Sequence, residues 1–222
     1  MCGRFALTVD PADLQDAFPE YTFPAQAARR FNIAPTQPIL ALPNDGTSKA
    51  DFFVWGLIPS WAKDPAIGNR LINARAETLA EKPAFRGAYK YRRCLIFADG
   101  FYEWQAQSSS KSKVPHLIRL KSGKPFAFAG LWEHWQSADG SEVKSATIIT
   151  SAPNELMAPI HNRMPVILAR DAYAQWFDPT PHFPVDLNSL LVPYPAEEME
   201  AYPVSTLVNS PANDRPELVV PA

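Results

Sequence analysis

CLIFADGFYEW, residues 94–104, reads as two short strands meeting at an Asp-Gly border, and that reading sets the fold class. Cys94–Ala98 and Phe101–Trp104 are rich in β-branched and aromatic residues, which suit a pleated, half-buried surface better than a helix. Working outward, Ile39–Leu42, Phe52–Leu57, His116–Leu120, Phe126–Leu131, Thr147–Thr150 and Val166–Leu168 have the same character, with Gly, Pro or Asp at their borders. Short helices are expected at four places. One opens at Asp10-Pro11, as N-cap and first helical residue, and the others span Ala84–Tyr89, Asn154–Ile160 with Asn154 as cap, and Ala172–Phe177, ended by Asp178-Pro179. Hairpins mixed with single helices predict an α+β fold on antiparallel sheets and not a doubly wound parallel sheet.

The chain of 222 residues is long enough for one well-packed domain, and its 46% hydrophobic and 20% charged content excludes wholesale disorder or a rod. Its 23 prolines against nine glycines predict rigid loops and interrupted elements. Two cysteines, Cys2 and Cys94, cannot build a disulfide framework or a four-Cys zinc site. MCGRFALTVD lacks the basic-then-apolar order of an export signal, and no 18 uncharged apolar residues run together, so the expected compartment is the cytoplasm. Gln107–Lys113 reads as a hairpin tip, and residues 203–222 as a Pro-rich tail wrapping the surface of a single domain covering 1–222.

The net charge of −2 conceals an asymmetry: residues 61–125 carry 13 Lys or Arg against five acids, a net of +8, and the remainder carries −10. The basic window either attracts phosphate or is simply a solvated basic surface.

No phosphate-cradling, dinucleotide, nucleophile-elbow or HExxH motif occurs, and the four histidines are scattered, so neither a cofactor nor a metal is signalled. Position 2 stands out. Removal of Met1 ahead of the small Cys2 exposes an α-amine beside a thiol. An α-amine has a pKa of about 7.7–8.0 against about 10.4 for Lys, so roughly one in ten is neutral at pH 7 against roughly one in 2,500. Once such an amine condenses with an aldehyde, the neighbouring thiol closes a thiazolidine ring. The alternative is a buried Cys packing in a first strand as a small hydrophobe.

MCGRF at 1–5, FNIAPTQ at 31–37, VWGLIPSW at 54–61, LINARAET at 71–78, FADGFYEW at 97–104 and PIHNRMPVIL at 159–168 together resemble the SRAP family, whose name stands for SOS response-associated peptidase. The resemblance covers nearly the whole chain. It implies curved, mostly antiparallel sheets forming a barrel-like core with short peripheral helices. It also implies a sensor of abasic sites in single-stranded DNA that cross-links through its N-terminal cysteine and shields the lesion. A ring-opened abasic deoxyribose is an aldehyde, so the family's chemistry and the aminothiol converge.

By motif, the resemblance makes Cys2 the nucleophile, Asn73 the side chain positioning the α-amine, Glu103 an acid/base group and His161 a second such group that assists ring opening. Read without it, Asn73 is a turn residue, Glu103 an exposed strand acid and His161 a helix C-terminal cap. For DNA the resemblance points to Arg4, Arg75 and Arg163, with Asn32 and Trp61 near the lesion. Arginine forks suit phosphate and an indole stacks on any base, although Trp61 also reads as a core residue. The family commonly places a second aromatic after Trp61, where this chain has Ala62.

Three functions remain open at this stage: a covalent abasic-site sensor with Schiff-base and weak lyase activity, an N-terminal-nucleophile cysteine peptidase that in its limited form removes Met1, and a non-covalent reader of modified bases. The first is the expected one. It implies a monomer acting in the cytoplasm, at the nucleoid when bound, with abasic single-stranded DNA as partner, no membrane and no metal.

Overall fold

The computed structural model describes residues 2–107, 112–179 and 187–222. Its described strands are β1 Phe5–Leu7, β2 Arg30–Ile33, β3 Pro38–Pro43, β4 Asp51–Trp55, β5 Asn73–Arg75, β6 Arg93–Ala98, β7 Gly100–Ala106, β8 Lys113–Leu120, β9 Phe126–Gln136, β10 Glu142–Ser151, β11 Met164–Pro165 and β12 Met199–Pro203. They build two sheets around one core.

The first sheet closes on itself. Its order β10-β4-β3-β6-β9 returns from β9 to β10, a five-stranded barrel, with β5 and β11 attached to β10. Closure removes exposed edges, and the strand at its centre shows the result. β6 is buried along its whole length, which is why CLIFA reads as a continuous apolar run instead of alternating. β10 holds the barrel together by using both of its edges: Glu142–Ile148 pair antiparallel with β9, while Ser145 and Ala146 run parallel to Val54 and Trp55. Its end then continues parallel to β5 and antiparallel to β11. The architecture is the α+β, mostly antiparallel barrel expected, and among the described strands the parallel pairs are those of β10 with β4 and β5.

The second sheet, β12-β8-β7-β1-β2, is antiparallel throughout. Alternation along its strands sends Phe5, Leu7 and Phe101 into the main core and Ala6, Tyr102 and Leu117 to the opposite face. That opposite face is covered by the C-terminal segment, whose Val204, Val208 and Leu218 are buried against it. Residues 203–222 therefore supply core as well as wrapping.

The helices are short: α1 Pro11–Ala17, α2 Arg86–Tyr91 and α3 Tyr173–Phe177. Asp10 precedes α1, although its side chain makes no capping bond. α2 starts two residues later than expected. Asn154–Ile160 is a correction: Asn154 Oδ1 accepts from Met157 N at 2.9 Å as a cap would, but only turns follow. Pro159 lacks an N–H, so the ladder begun by Ala158 N to Asn154 O is broken at once, and of the helical bonds only His161 N to Met157 O follows it. Val166–Leu168 follows β11 and lies along β9 through Leu168 N to Ala127 O at 3.0 Å and Ala129 N to Val166 O at 2.9 Å. β1, β2, β5, β11 and β12 were not among the expected strands. Most of the expected tip at 107–113 lies outside the described residues; the flanking strands pair from Phe101↔Ile118 to Ala106↔Lys113. Among the described residues no helix is long and apolar enough to cross a membrane.

Candidate active site

The register of β1 against β7 brings Cys2 and Glu103 together. Phe5 lies opposite Phe101 and Ala6 opposite Gly100, and Tyr102 N continues the ladder to Arg4 O at 3.0 Å. Extending the same antiparallel register toward the N-terminus sets Cys2 beside Glu103 and Trp104. Glu103 shares the core-facing side of β7 with Phe101 and is 3% exposed, so it is not the solvent-facing strand acid. Cys2 is fully buried. Burial first, and the Glu103 carboxylate second, push its thiol well above the ordinary range.

Asn73 reaches the same point from the barrel. It opens β5, which runs parallel to β10 with Asn73 opposite Ile148, and its Nδ2 donates to the Cys2 carbonyl at 2.7 Å. The amide's other atom, Oδ1, is buried with no hydrogen-bond partner among the described residues. Asn73 is thus a tether between the sheets with an acceptor to spare, not a solvated turn residue.

His161 lies in the loop before β11, which Gln105 of β7 binds through Nε2 to Pro159 O at 3.1 Å. The Arg163 backbone N–H donates to His161 Nδ1 at 3.1 Å. The same Nδ1 lies 3.3 Å from the Arg163 carbonyl oxygen, so the Arg163 backbone brackets this edge of the ring. The Arg163 guanidinium is gripped by both oxygens of Glu77, at 2.6 and 2.9 Å, and by Thr150 O at 2.5 Å.

The residues expected at DNA divide into two groups. Arg75 and Trp61 are exposed, Trp61 by 59%, which removes the core reading of that indole. Its loop is rigidly set. Gly56 has φ +129°, and a Cβ there would meet Gly68 O at 2.5 Å, so backbone packs on backbone at the loop's base. Ser60 N donates to Glu133 Oε2 at 3.1 Å and Trp135 Nε1 to Ala62 O at 2.7 Å on either side of the exposed ring. Arg75 follows Asn73 by two residues in β5 and so shares its face.

Arg4 and Asn32 face the other way. Arg4 donates to Asn32 Oδ1 at 2.8 Å, Val208 O at 2.7 Å and Asn209 O at 3.1 Å. Asn32 is fully buried, and its Nδ2 donates to Val208 O, Ser210 O and Asn213 O. Both therefore hold the C-terminal segment here, and Asn32 fixes the orientation of Arg4. The basic window is also thinned: Arg93 is buried among backbone carbonyls, Arg92 pairs with Glu133 and Arg119 with Glu200.

The family model described as SOS response associated peptidase (SRAP) matches residues 1–211. The chain belongs to the SRAP family. It is 50% identical to abasic site processing protein YoaM of Bacillus subtilis over 99% of this chain and 97% of that protein. It is 36% identical to abasic site processing protein HMCES of Xenopus tropicalis over 98% of this chain and 77% of that protein. Among solved structures, a protein from Bacteroides thetaiotaomicron superposes with a TM-score of 0.86 at 25% identity, covering 100% of both chains.

In this SRAP domain three features of the site escaped the sequence reading. Glu77 stands inside LINARAET, but nothing local marks it as the partner of an arginine 86 positions away. Gln105 follows FYEW directly and is polar where the strand leaves the core. Asp214, which accepts from Phe31 N, Asn32 N and Arg30 Nε, lies in a tail with no periodic signal. Among the described residues no three His, Cys, Asp or Glu side chains converge on a metal position.

Proposed function

We propose that this SRAP protein processes abasic sites in single-stranded DNA by closing a thiazolidine between the lesion's aldehyde and Cys2. The observation carrying the reading is the convergence on Cys2 of an amide tether from the barrel and a buried carboxylate from the second sheet. Removal of Met1, which lies outside the described residues, frees the amine.

The amine attacks the aldehyde carbon to give a carbinolamine, whose hydroxyl leaves as water with a delivered proton, forming an imine. The thiol then adds to the imine carbon. A C–S bond forms, the C=N electron pair moves to nitrogen and the thiol proton follows it there, so the net change is loss of one water.

Each side chain has a part in this. Asn73 Nδ2 holds the Cys2 carbonyl, and Oδ1 is the natural acceptor for the freed amine. Because burial and Glu103 keep the thiol protonated, ring closure needs a base beside sulfur, and Glu103 is that base. His161 supplies the proton to the ring oxygen as the closed sugar opens. Where the thiol fails to close, the persisting imine permits slow strand cleavage, the Schiff-base lyase reaction. Arg75 and the remaining exposed cations meet phosphates, and Trp61 stacks on a neighbouring base. Arg163 contributes its partly occupied fork. The protein acts as a monomer in the cytoplasm, at the nucleoid when bound.

A cysteine peptidase is less well supported, since the relatives YoaM and HMCES are named for abasic-site processing. A non-covalent base reader would account for Trp61 and the cations but not for a carboxylate buried against sulfur. The test is denaturing mass analysis after mixing with single-stranded DNA bearing one abasic site. Wild type is expected to gain the mass of the strand less one water, and Cys2→Ala to gain no stable adduct. Absence of a denaturation-resistant adduct with wild type overturns the reading.

A further inference from the structure

We infer that Glu77 is a positioning residue for His161, acting through Arg163. The inference rests on the ring-opening role proposed for His161 and adds what holds that imidazole in place.

Arg163 grips in two directions at once. Its guanidinium meets Glu77 Oε1 and Oε2 at 2.6 and 2.9 Å, a fork-on-fork pair that fixes orientation as well as distance. The same guanidinium donates to Thr150 O at 2.5 Å, and Thr150 is the residue of β10 that pairs with both Arg75 of β5 and Pro165 of β11. The Arg163 backbone meets His161 Nδ1 through both its N–H at 3.1 Å and its carbonyl oxygen at 3.3 Å, and so holds that edge of the ring. The imidazole is thereby referenced to the rigid end of the barrel, although it lies on a loop.

Glu77 suits this part better than that of a bystander. Its side chain is 53% exposed while that of Arg163 is 15% exposed, so the acid closes over a mostly buried cation. The Arg163 hydrogen bonds hold its carboxyl below the usual range. Being half-exposed, Glu77 is replaceable without opening the core.

A rival account of the same geometry makes Glu77 a stand-in for a DNA phosphate, masking Arg163 until DNA displaces it. Three measurements on the full chain separate the two. In single-turnover cross-linking to abasic single-stranded DNA, Glu77→Gln is expected to slow adduct formation about tenfold, part of what complete loss of an acid/base group removes. In the His161→Ala background the same substitution is expected to add no further loss, because the imidazole it positions is gone. Affinity for undamaged single-stranded DNA is expected to stay within about twofold at physiological salt, where a single exposed charge is screened.

Ring-nitrogen NMR of the DNA-free protein gives a readout that does not depend on the reaction. Glu77→Gln is expected to shift the ring-nitrogen resonances of His161 from their wild-type positions, as the imidazole loses its fixed contact with the Arg163 backbone. Markedly tighter DNA binding with an undiminished rate would favour masking and overturn the inference. So would losses that multiply in the double variant, or an unchanged imidazole spectrum. If wild type forms no adduct, the functional reading falls and the spectrum alone decides the positioning claim. If His161→Ala cross-links at the wild-type rate, Glu77 has nothing to position for catalysis and the inference fails.

Discussion

Asn73 and Cys2 are joined across the two sheets by a 2.7 Å hydrogen bond from the Asn73 side-chain amide to the Cys2 carbonyl. β5 extends the barrel and β1 belongs to the second sheet, so this one bond registers the reactive terminus against the barrel. Asn73→Ala removes the donor and the spare acceptor together. The expected outcome is a loss of about 1 kcal/mol in stability, the ordinary net worth of one hydrogen bond, with a cross-linking rate lower by about tenfold or more. Urea unfolding and single-turnover kinetics on the same preparation check both. A stability loss with an unchanged rate would reduce Asn73 to a structural tether.

Arg75 is exposed and shares the face of β5 that carries Asn73. Non-covalent binding to single-stranded DNA is expected to weaken with salt by a slope near −0.7 per phosphate contact, and Arg75→Ala to flatten that slope by about one contact. Titration of undamaged DNA across a salt series measures it. An unchanged slope would show that Arg75 touches no phosphate.

Arg93 belongs to the same basic window yet serves the fold. Its guanidinium donates to Trp176 O at 2.8 Å, Tyr89 O at 3.1 Å and Lys90 O at 2.8 Å, and also to Asp178 O, closing the C-terminal ends of α2 and α3. Arg93→Ala strands several buried carbonyls and is expected to destabilise the protein by about 3 kcal/mol or more without changing the salt slope of DNA binding. Denaturant midpoints and the same salt titration test the pair of statements.

Cys2 and Cys94 are both fully buried and both have thiols pushed up, chiefly by burial. A raised folded-state pKa contributes stability that is complete below the unfolded thiol value of about 8.5 and is lost as pH rises above it. Unfolding then releases two thiol protons, so stability is expected to fall by up to about 2.7 kcal/mol per pH unit between about pH 9 and 10. Urea midpoints at pH 8, 9 and 10 measure the slope, which Cys94→Ala should roughly halve. A flat profile would contradict two buried protonated thiols.

The strands that are legible in the sequence are the ones with enough residues to show a pattern. Cys94–Ala98 and Phe101–Trp104 are β6 and β7 within two residues at each end. β5 has three residues and β1 three, too few for any period, and their pairing depends on partners far along the chain. Asn154–Ile160 has the apolar spacing and the cap of a helix, and Pro159 ends it. For the site, motif resemblance named Cys2, Asn73, Glu103 and His161, and the structure sets the first three around one point. Counting charge misled because Arg93 is buried and Arg92 and Arg119 are already paired with Glu133 and Glu200. Arg4 and Asn32 look like DNA ligands in the motif and hold the C-terminal segment in the fold. Glu77 was invisible because a bidentate pair closed by tertiary structure has no local spacing.

The central claim is that an α-amine on Cys2, and not the thiol alone, captures the lesion. Denaturing intact-mass analysis with abasic single-stranded DNA is best run on two forms of the protein, one with a free Cys2 terminus and one carrying an uncleaved N-terminal extension. The extension leaves the thiol, Asn73, Glu103, His161 and the arginines in place, and circular dichroism with salt-dependent binding verifies that both forms fold and bind DNA. The account predicts a stable adduct, one water lighter than the sum of its parts, with the free terminus and none with the blocked one. A folded, DNA-binding, blocked protein that cross-links in full yield would contradict it.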